Sequence, residues 1–131
     1  MQTPEPAPAL DSQYDLDAMM EALVQGRGEW VHENTRPAAE AGAAKAQLMM
    51  GILFQIGAGV ERDGREAVKF YRLAALQGDV LAWRNLGTLY LLGLAGVEVD
   101  KTEAHHCFMR ANMTEMQSKA KELLSRDGTI Q

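Results

Sequence analysis

The sequence has a single cysteine, few aromatic residues and no long apolar segment. One cysteine in 131 residues cannot form an internal disulfide, so no disulfide framework supports the fold. No apolar run reaches the roughly 18 residues of a transmembrane helix, and no secretory signal is visible. These absences predict a cytoplasmic protein without membrane insertion. A periplasmic or exported protein whose signal peptide has been removed is the alternative.

Basic residues are outnumbered and scattered, and proline is scarce outside the amino-terminal segment. Thirteen Lys and Arg residues stand against 18 Asp and Glu residues, for a net charge of −5. This balance argues against a nucleic-acid partner, because such binding depends on clustered basic side chains.

Three of the four prolines lie before residue 13. We therefore expect a disordered tail over 1–13 and a single domain over 14–131.

Two stretches of the chain, beginning at Ala46 and Ala82, have nearly the same sequence. The offset between them is 36 residues as far as Gly57 and Gly93. One additional residue in the second stretch, near Leu94–Ala95, then raises the offset to 37 for the remaining matches. Self-similarity of this length is typical of a repeat built from helices.

Apolar residues recur at three- and four-residue spacing along most of the chain, which predicts an all-α fold of six to seven helices. Asp63 and Asp100 are predicted to cap helix amino termini, and Gly57 and Gly93 to follow helix carboxyl termini. Pro37 is expected to break or kink its helix near Arg36. The predicted helices span about 15–25, 29–41, 43–57, 64–77, 79–93 and 101–112, with a separate capping helix at 114–126.

No group of residues indicates catalysis or metal binding. His105, His106 and Cys107 are adjacent, so that their side chains point in different directions on a helix, and no second cluster completes a site. Cys107 occupies an aromatic position of the repeat and is expected to be a buried thiol. The serines lack a base at a suggestive spacing. We expect no enzymatic activity, no metal and no cofactor.

The repeat resembles one known family. The pattern formed by Ala46, Met50, Gly51, Phe54, Gly57, Gly59, Val60, Asp63, Ala67, Phe70, Tyr71, Ala74, Ala75 and Gly78 is similar to the Sel-one-like repeat (SLR), a relative of the tetratricopeptide repeat. The second copy departs from it by the inserted residue, by Cys107 and by Asn112. The resemblance implies a right-handed α-solenoid of antiparallel helix pairs. Its clear repeats would span about 43–78 and 79–113, after a degenerate first unit.

The resemblance also implies an adaptor or scaffold that binds a partner protein or peptide through a concave groove. In related repeats the first helix of each pair lines that groove. Transferring the groove positions to this chain, and omitting Ile56 and Leu92 at its edge, predicts ten partner-binding residues: Lys45, Leu48, Met49, Ile52, Gln55, Leu81, Arg84, Asn85, Thr88 and Leu91.

Two alternatives to an adaptor remain open at the level of the sequence. A small chain with two clear repeats also suits a dedicated inhibitor or immunity-type protein that blocks a single partner. The second alternative is a structural module that self-associates through apolar residues of the degenerate first unit, namely Met19, Met20 and Trp30. We expect a monomer or a weak homodimer.

Overall fold

Residues 14–126, which a computed structural model of the chain describes, form six α-helices and no strand. The predicted tail, 1–13, and residues 127–131 lie outside the described residues. A short 3₁₀ turn at Leu94–Gly96 connects the last two helices. The helices are α1 (Leu16–Val24), α2 (Gly28–Glu40), α3 (Ala44–Ile56), α4 (Gly64–Leu76), α5 (Val80–Leu92) and α6 (Lys101–Arg126).

Each helix packs mainly on its neighbours in the sequence, which gives three successive helix pairs. We call the first helix of each pair the A helix (α1, α3 and α5) and the second the B helix (α2, α4 and α6). Successive pairs are joined through contacts of α2 with α3 and of α4 with α5. The predicted all-α solenoid of helix pairs is confirmed, with α1 and α2 forming the first unit.

The structure confirms the predicted helix caps at Asp63 and Asp100 and the predicted helix-ending glycines at 57 and 93. The carboxylate of Asp63 accepts hydrogen bonds from backbone N–H groups two and three residues ahead, at 3.0 and 3.4 Å. Asp100 does the same for the group three residues ahead, at 3.0 Å. Gly57 and Gly93 end α3 and α5 with φ of 74° and 65°, in the left-handed region where glycine has no Cβ penalty.

Buried side chains form two adjacent clusters that extend along the stack. The first contains Val31, Met49 and Leu53 and joins the first two pairs. The second contains Tyr71 and Leu86 and joins the last two pairs. Because the clusters share partly buried residues, one continuous core holds all three pairs together.

The predicted break at Pro37 does not occur, because α2 continues past it to Glu40. Pro37 lies on the exposed side of α2, whereas Thr35 and Ala38 face the core. The carbonyl that loses its hydrogen-bond donor belongs to Glu33, which is also exposed, so water can satisfy it. Packing of the opposite side of α2 is therefore sufficient to keep the helix continuous.

The predicted break between residues 112 and 114 is also wrong, since α6 is one helix of 26 residues. Helices α2 and α4 are each followed by a glycine with positive φ, 101° at Gly42 and 98° at Gly78. These glycines end their helices in the left-handed conformation. The repeat offset of 37 places Glu115 at the position of Gly78, so α6 lacks the residue that ends the other B helices.

As a result, the last part of α6 extends beyond the body of the domain. Every residue from Met116 to Arg126 is exposed, whereas Ala104, Cys107 and Ala111 of the same helix are buried. The predicted role of this segment as a cap over the stack is therefore not seen. We call residues 116–126 the α6 extension.

We expect backbone amides of the α6 extension to exchange with solvent far faster than those of 104–111. Isolated helices of about 11 residues are only marginally stable in water, and every residue of this segment is exposed to solvent. Hydrogen exchange followed by mass spectrometry compares both segments within one helix, which makes 104–111 the internal control. Equal protection of the two segments would contradict the exposure of the extension.

Candidate functional site

Two of the ten predicted partner-binding residues have no accessible surface. Leu48 and Met49 are each 0% exposed and belong to the core. The prediction is wrong for these two because α3 lies between two other pairs. Leu48 packs in the cluster of Tyr71 and Leu86, and Met49 packs in the cluster of Val31. A helix in the middle of a stack has neighbours on both sides, so only a narrow face remains free.

The other eight predicted residues are all at least partly accessible. Two of them, Leu81 and Leu91, are 46% and 42% exposed. Ile56 and Leu92, at the ends of α3 and α5, are more exposed still. We define the groove surface as the eight accessible residues Lys45, Ile52, Gln55, Leu81, Arg84, Asn85, Thr88 and Leu91.

A buried tyrosine of α4 holds two polar residues of the groove surface. The hydroxyl of Tyr71 donates to Oε1 of Gln55 at 2.6 Å, and it also hydrogen-bonds to Asn85. Burial raises the pKa of Tyr71 well above its usual value, so the hydroxyl stays protonated and can act as a donor. Helices α3, α4 and α5 are thereby linked beneath the groove surface, and both amides have a fixed position.

The two basic residues of the groove surface are held by acidic partners. The Nζ atom of Lys45 lies 2.8 Å from Oδ2 of Asp79, whose side chain is almost completely buried. An Nη atom of Arg84 lies 2.6 Å from a carboxylate oxygen of Glu115 on α6. Sequence reasoning identified the two bases but not their partners. One sequence signal did distinguish Glu115: it occupies the repeat position of Gly78, the glycine that follows helix α4.

The Arg84–Glu115 pair connects the groove surface to α6. The hydrogen bond from Arg84 and its positive charge lower the pKa of the Glu115 carboxyl, so this group is ionised at neutral pH. Both side chains are about two-fifths exposed. A carboxylate from a partner can therefore reach the exposed part of the Arg84 guanidinium, where it would share or compete for the contact with Glu115.

Cys107 is a buried structural thiol, as predicted. It is 1% exposed, and burial raises its pKa to about 11, so that the reactive thiolate is absent at neutral pH. His105 and His106 are exposed. Within residues 14–126, no three His, Cys, Asp or Glu side chains are grouped closely enough to hold a metal ion.

The first unit exposes part of the apolar surface that the sequence indicated. Met20 and Trp30 are 37% and 39% exposed, whereas Met19 packs against the core. The guanidinium of Arg27 lies 4.2 Å from the centre of the Trp30 ring and covers one face of it. Val24, in the same unit, is 85% exposed.

Comparison with solved structures identifies similar solenoids. A Sel1 repeat protein from Oxalobacter formigenes matches with a TM-score of 0.63 and 27% identity, covering 78% of this chain and 42% of that protein. A protective antigen of uropathogenic Escherichia coli that displays an SLR fold matches with a TM-score of 0.61 and 26% identity, covering 86% of this chain and 29% of the antigen. The chain thus spans less than half the length of either structure. No curated protein gives a significant match.

Family comparison agrees with the repeat boundaries. The model of the Sel1 repeat matches residues 44–79 and 82–112, just over half of the chain. These ranges coincide with the α3–α4 pair and with α5 and the first part of α6. Among residues 14–126, no helix is both long enough and apolar enough to cross a membrane. The matched repeats and the helix pairs that they form show that this chain belongs to the Sel1 repeat family.

Proposed function

We propose that this chain is a non-catalytic module that binds a protein or peptide partner through the groove surface. Sel1 repeat proteins generally are protein-interaction modules. The observation that carries the proposal is the combination of exposed leucines with polar groups of fixed position on adjacent A helices. Leu81 and Leu91 offer apolar contacts on α5, and Gln55 and Asn85, held by Tyr71, offer hydrogen bonds.

The groove surface suits an extended peptide or an amphipathic helix. Apolar side chains of the ligand would contact Leu81 and Leu91 and exclude water, which is the main source of affinity. The amides of Gln55 and Asn85 would bond the ligand backbone or its polar side chains. A carboxylate of the ligand would bind the exposed guanidinium of Arg84, beside Glu115 or in its place.

Site-specific photo-crosslinking tests this proposal in cells. A photoreactive amino acid at Leu91 is expected to form a covalent adduct with a discrete partner. The same amino acid at Leu76 is the control, because Leu76 is exposed but belongs to the B helix α4 and not to the groove surface. Adding Leu81→Glu should abolish the Leu91 adduct. Adducts of equal yield at both positions, or a Leu91 adduct that survives Leu81→Glu, would contradict the proposal.

The identity of the protein crosslinked at Leu91, and the affinity and stoichiometry of its complex, distinguish two narrower functions. A one-to-one complex of nanomolar affinity would favour an inhibitor or immunity-type protein that blocks one partner. Adducts between copies of this chain would instead favour a self-associating structural module.

We propose a cytoplasmic location because the lone, buried thiol suits a reducing compartment, and cell fractionation tests it.

A further inference from the structure

Helix α6 has two apolar sides, of which only one is buried by the residues that the structure describes. Its inner side, with Ala104, Cys107 and Ala111, is buried in the domain. At 100° per residue, a second apolar line lies on the opposite side of the helix. We call this line the outer seam; it consists of Met109, Met113, Met116, Ala120 and Leu123.

The outer seam has the spacing of a helix-packing surface. Its members are separated by four, three, four and three residues, which is the alternation of a and d positions in a heptad. The side chains of Met109, Met113, Met116 and Leu123 are 48%, 54%, 70% and 59% exposed. The seam extends over about 20 Å of helix, from the body of the domain into the α6 extension. An apolar line of this length is what a second helix covers.

A further repeat of the same geometry is not the expected occupant. In α2 and α4 the first residue is Gly28 or Gly64, whose backbone closely approaches the loop of the following pair. Lys101 stands at the corresponding position of α6. The buried Ala75 of α4 corresponds to the exposed Asn112. A following pair would therefore meet a long charged side chain and an amide where the earlier pairs offer glycine and alanine.

The charges around the outer seam identify the kind of helix that fits. On the helical projection, three basic residues from 110 to 126 occupy the e and g positions beside the seam, whereas Glu115 and Glu122 occupy c positions, farther from it. The flanking positions therefore carry one sign of charge. Complementary flanks on a partner helix would be acidic, as between the e and g positions of paired helices. The flanking basic residues are Arg110, Lys119 and Arg126.

We propose that the outer seam binds an amphipathic helix of another protein whose own apolar stripe is flanked by acidic side chains. Methionine suits this task because its flexible, polarisable side chain adapts to the surface of the partner. A second copy of this chain fits less well, since pairing two outer seams places basic flanks against each other. An anionic membrane also fits less well, because the stripe is narrow and the chain is negative overall.

Two synthetic three-heptad peptides test the proposal against the full chain by titration calorimetry. Both have leucine at every a and d position; one has glutamate and the other lysine at every e and g position. We expect the acidic peptide to bind one-to-one with about micromolar affinity, and the basic peptide to bind at least about tenfold more weakly. Met116→Lys should weaken binding of the acidic peptide by about tenfold or more, because it places a charge in the apolar seam.

Ser118→Lys is the matched control. It adds the same charge to the α6 extension but lies on the side away from the outer seam, so binding of the acidic peptide should not weaken. Leu91→Glu, in the groove surface, should also leave this binding unchanged, which separates the proposal from the proposed function. Three results would overturn it: equal affinity for both peptides, a peptide-free dimer that Met116→Lys dissociates in light scattering, or binding to phosphatidylserine vesicles that Met116→Lys abolishes.

Discussion

Replacing Gly51 with leucine is expected to lower the free energy of unfolding by about 3 kcal/mol, the upper part of the range for overpacked cores. A Cβ atom at Gly51 would lie 2.5 Å from ring carbons of Tyr71, far inside van der Waals contact. The ring cannot move aside, because Tyr71 is completely buried and its hydroxyl is bound to Gln55 and Asn85. For a chain of this size, the loss corresponds to a decrease of about 10 °C in the midpoint of thermal unfolding.

Gly87→Leu is the matched comparison for Gly51→Leu. The equivalent contact is 2.9 Å to the ring of Phe108, whose outer carbons can shift because that side chain is only partly buried. We therefore expect a smaller loss, about 1 to 2 kcal/mol. A Gly51→Leu variant that is as stable as Gly87→Leu would show that the Tyr71 ring is free to move. Thermal unfolding followed by circular dichroism measures both.

Removing the carboxylate of Asp79 is expected to cost about 2 kcal/mol, since this residue both caps α5 and pairs with Lys45. Its Oδ1 atom accepts the backbone N–H of Ala82 at 2.9 Å, and its Oδ2 atom lies 2.8 Å from Nζ of Lys45. Loss of a helix cap typically costs about 1 kcal/mol, and a charge-assisted hydrogen bond to a buried group contributes a comparable amount. Denaturant unfolding of Asp79→Ala measures the sum.

Two variants separate the two contributions of Asp79. Asp63→Ala removes a helix cap that is exposed to solvent, so it should cost only about 1 kcal/mol. Asp79→Asn retains an oxygen for the cap but loses the charge, and it should fall between wild type and Asp79→Ala. Equal stability of Asp79→Ala and Asp63→Ala would mean that the Lys45–Asp79 pair contributes nothing to folding.

Features that depend on neighbouring residues in the chain could be predicted well from the sequence. Helix caps at Asp63 and Asp100 and the left-handed glycines at 57 and 93 need only a few adjacent residues, and all four were confirmed. The continuity of α6 was also encoded locally. The signal is the absence of glycine at 115, the position at which Gly78 follows α4.

Which side of a helix remains exposed was harder to predict. Periodicity places Leu48, Met49 and Ile52 on one side of α3, but it does not reveal that the flanking pairs cover the first two. For Pro37, the propensity against helix was outweighed by core packing around Thr35 and Ala38. The acidic partners of Lys45 and Arg84 lie 34 and 31 residues away, beyond the reach of any local pattern.

By itself, the sequence determined the repeat, its helical units, its caps and its family, because these depend on spacing and on the chemistry of neighbouring residues. Only the tertiary structure decided which apolar residues form the core and which form surface. That division depends on how many helices contact a given face, a quantity set by stacking. Helix α3 has neighbours on both sides and hides Leu48 and Met49, whereas among residues 14–126 α6 packs mainly on α5, and its outer seam is exposed.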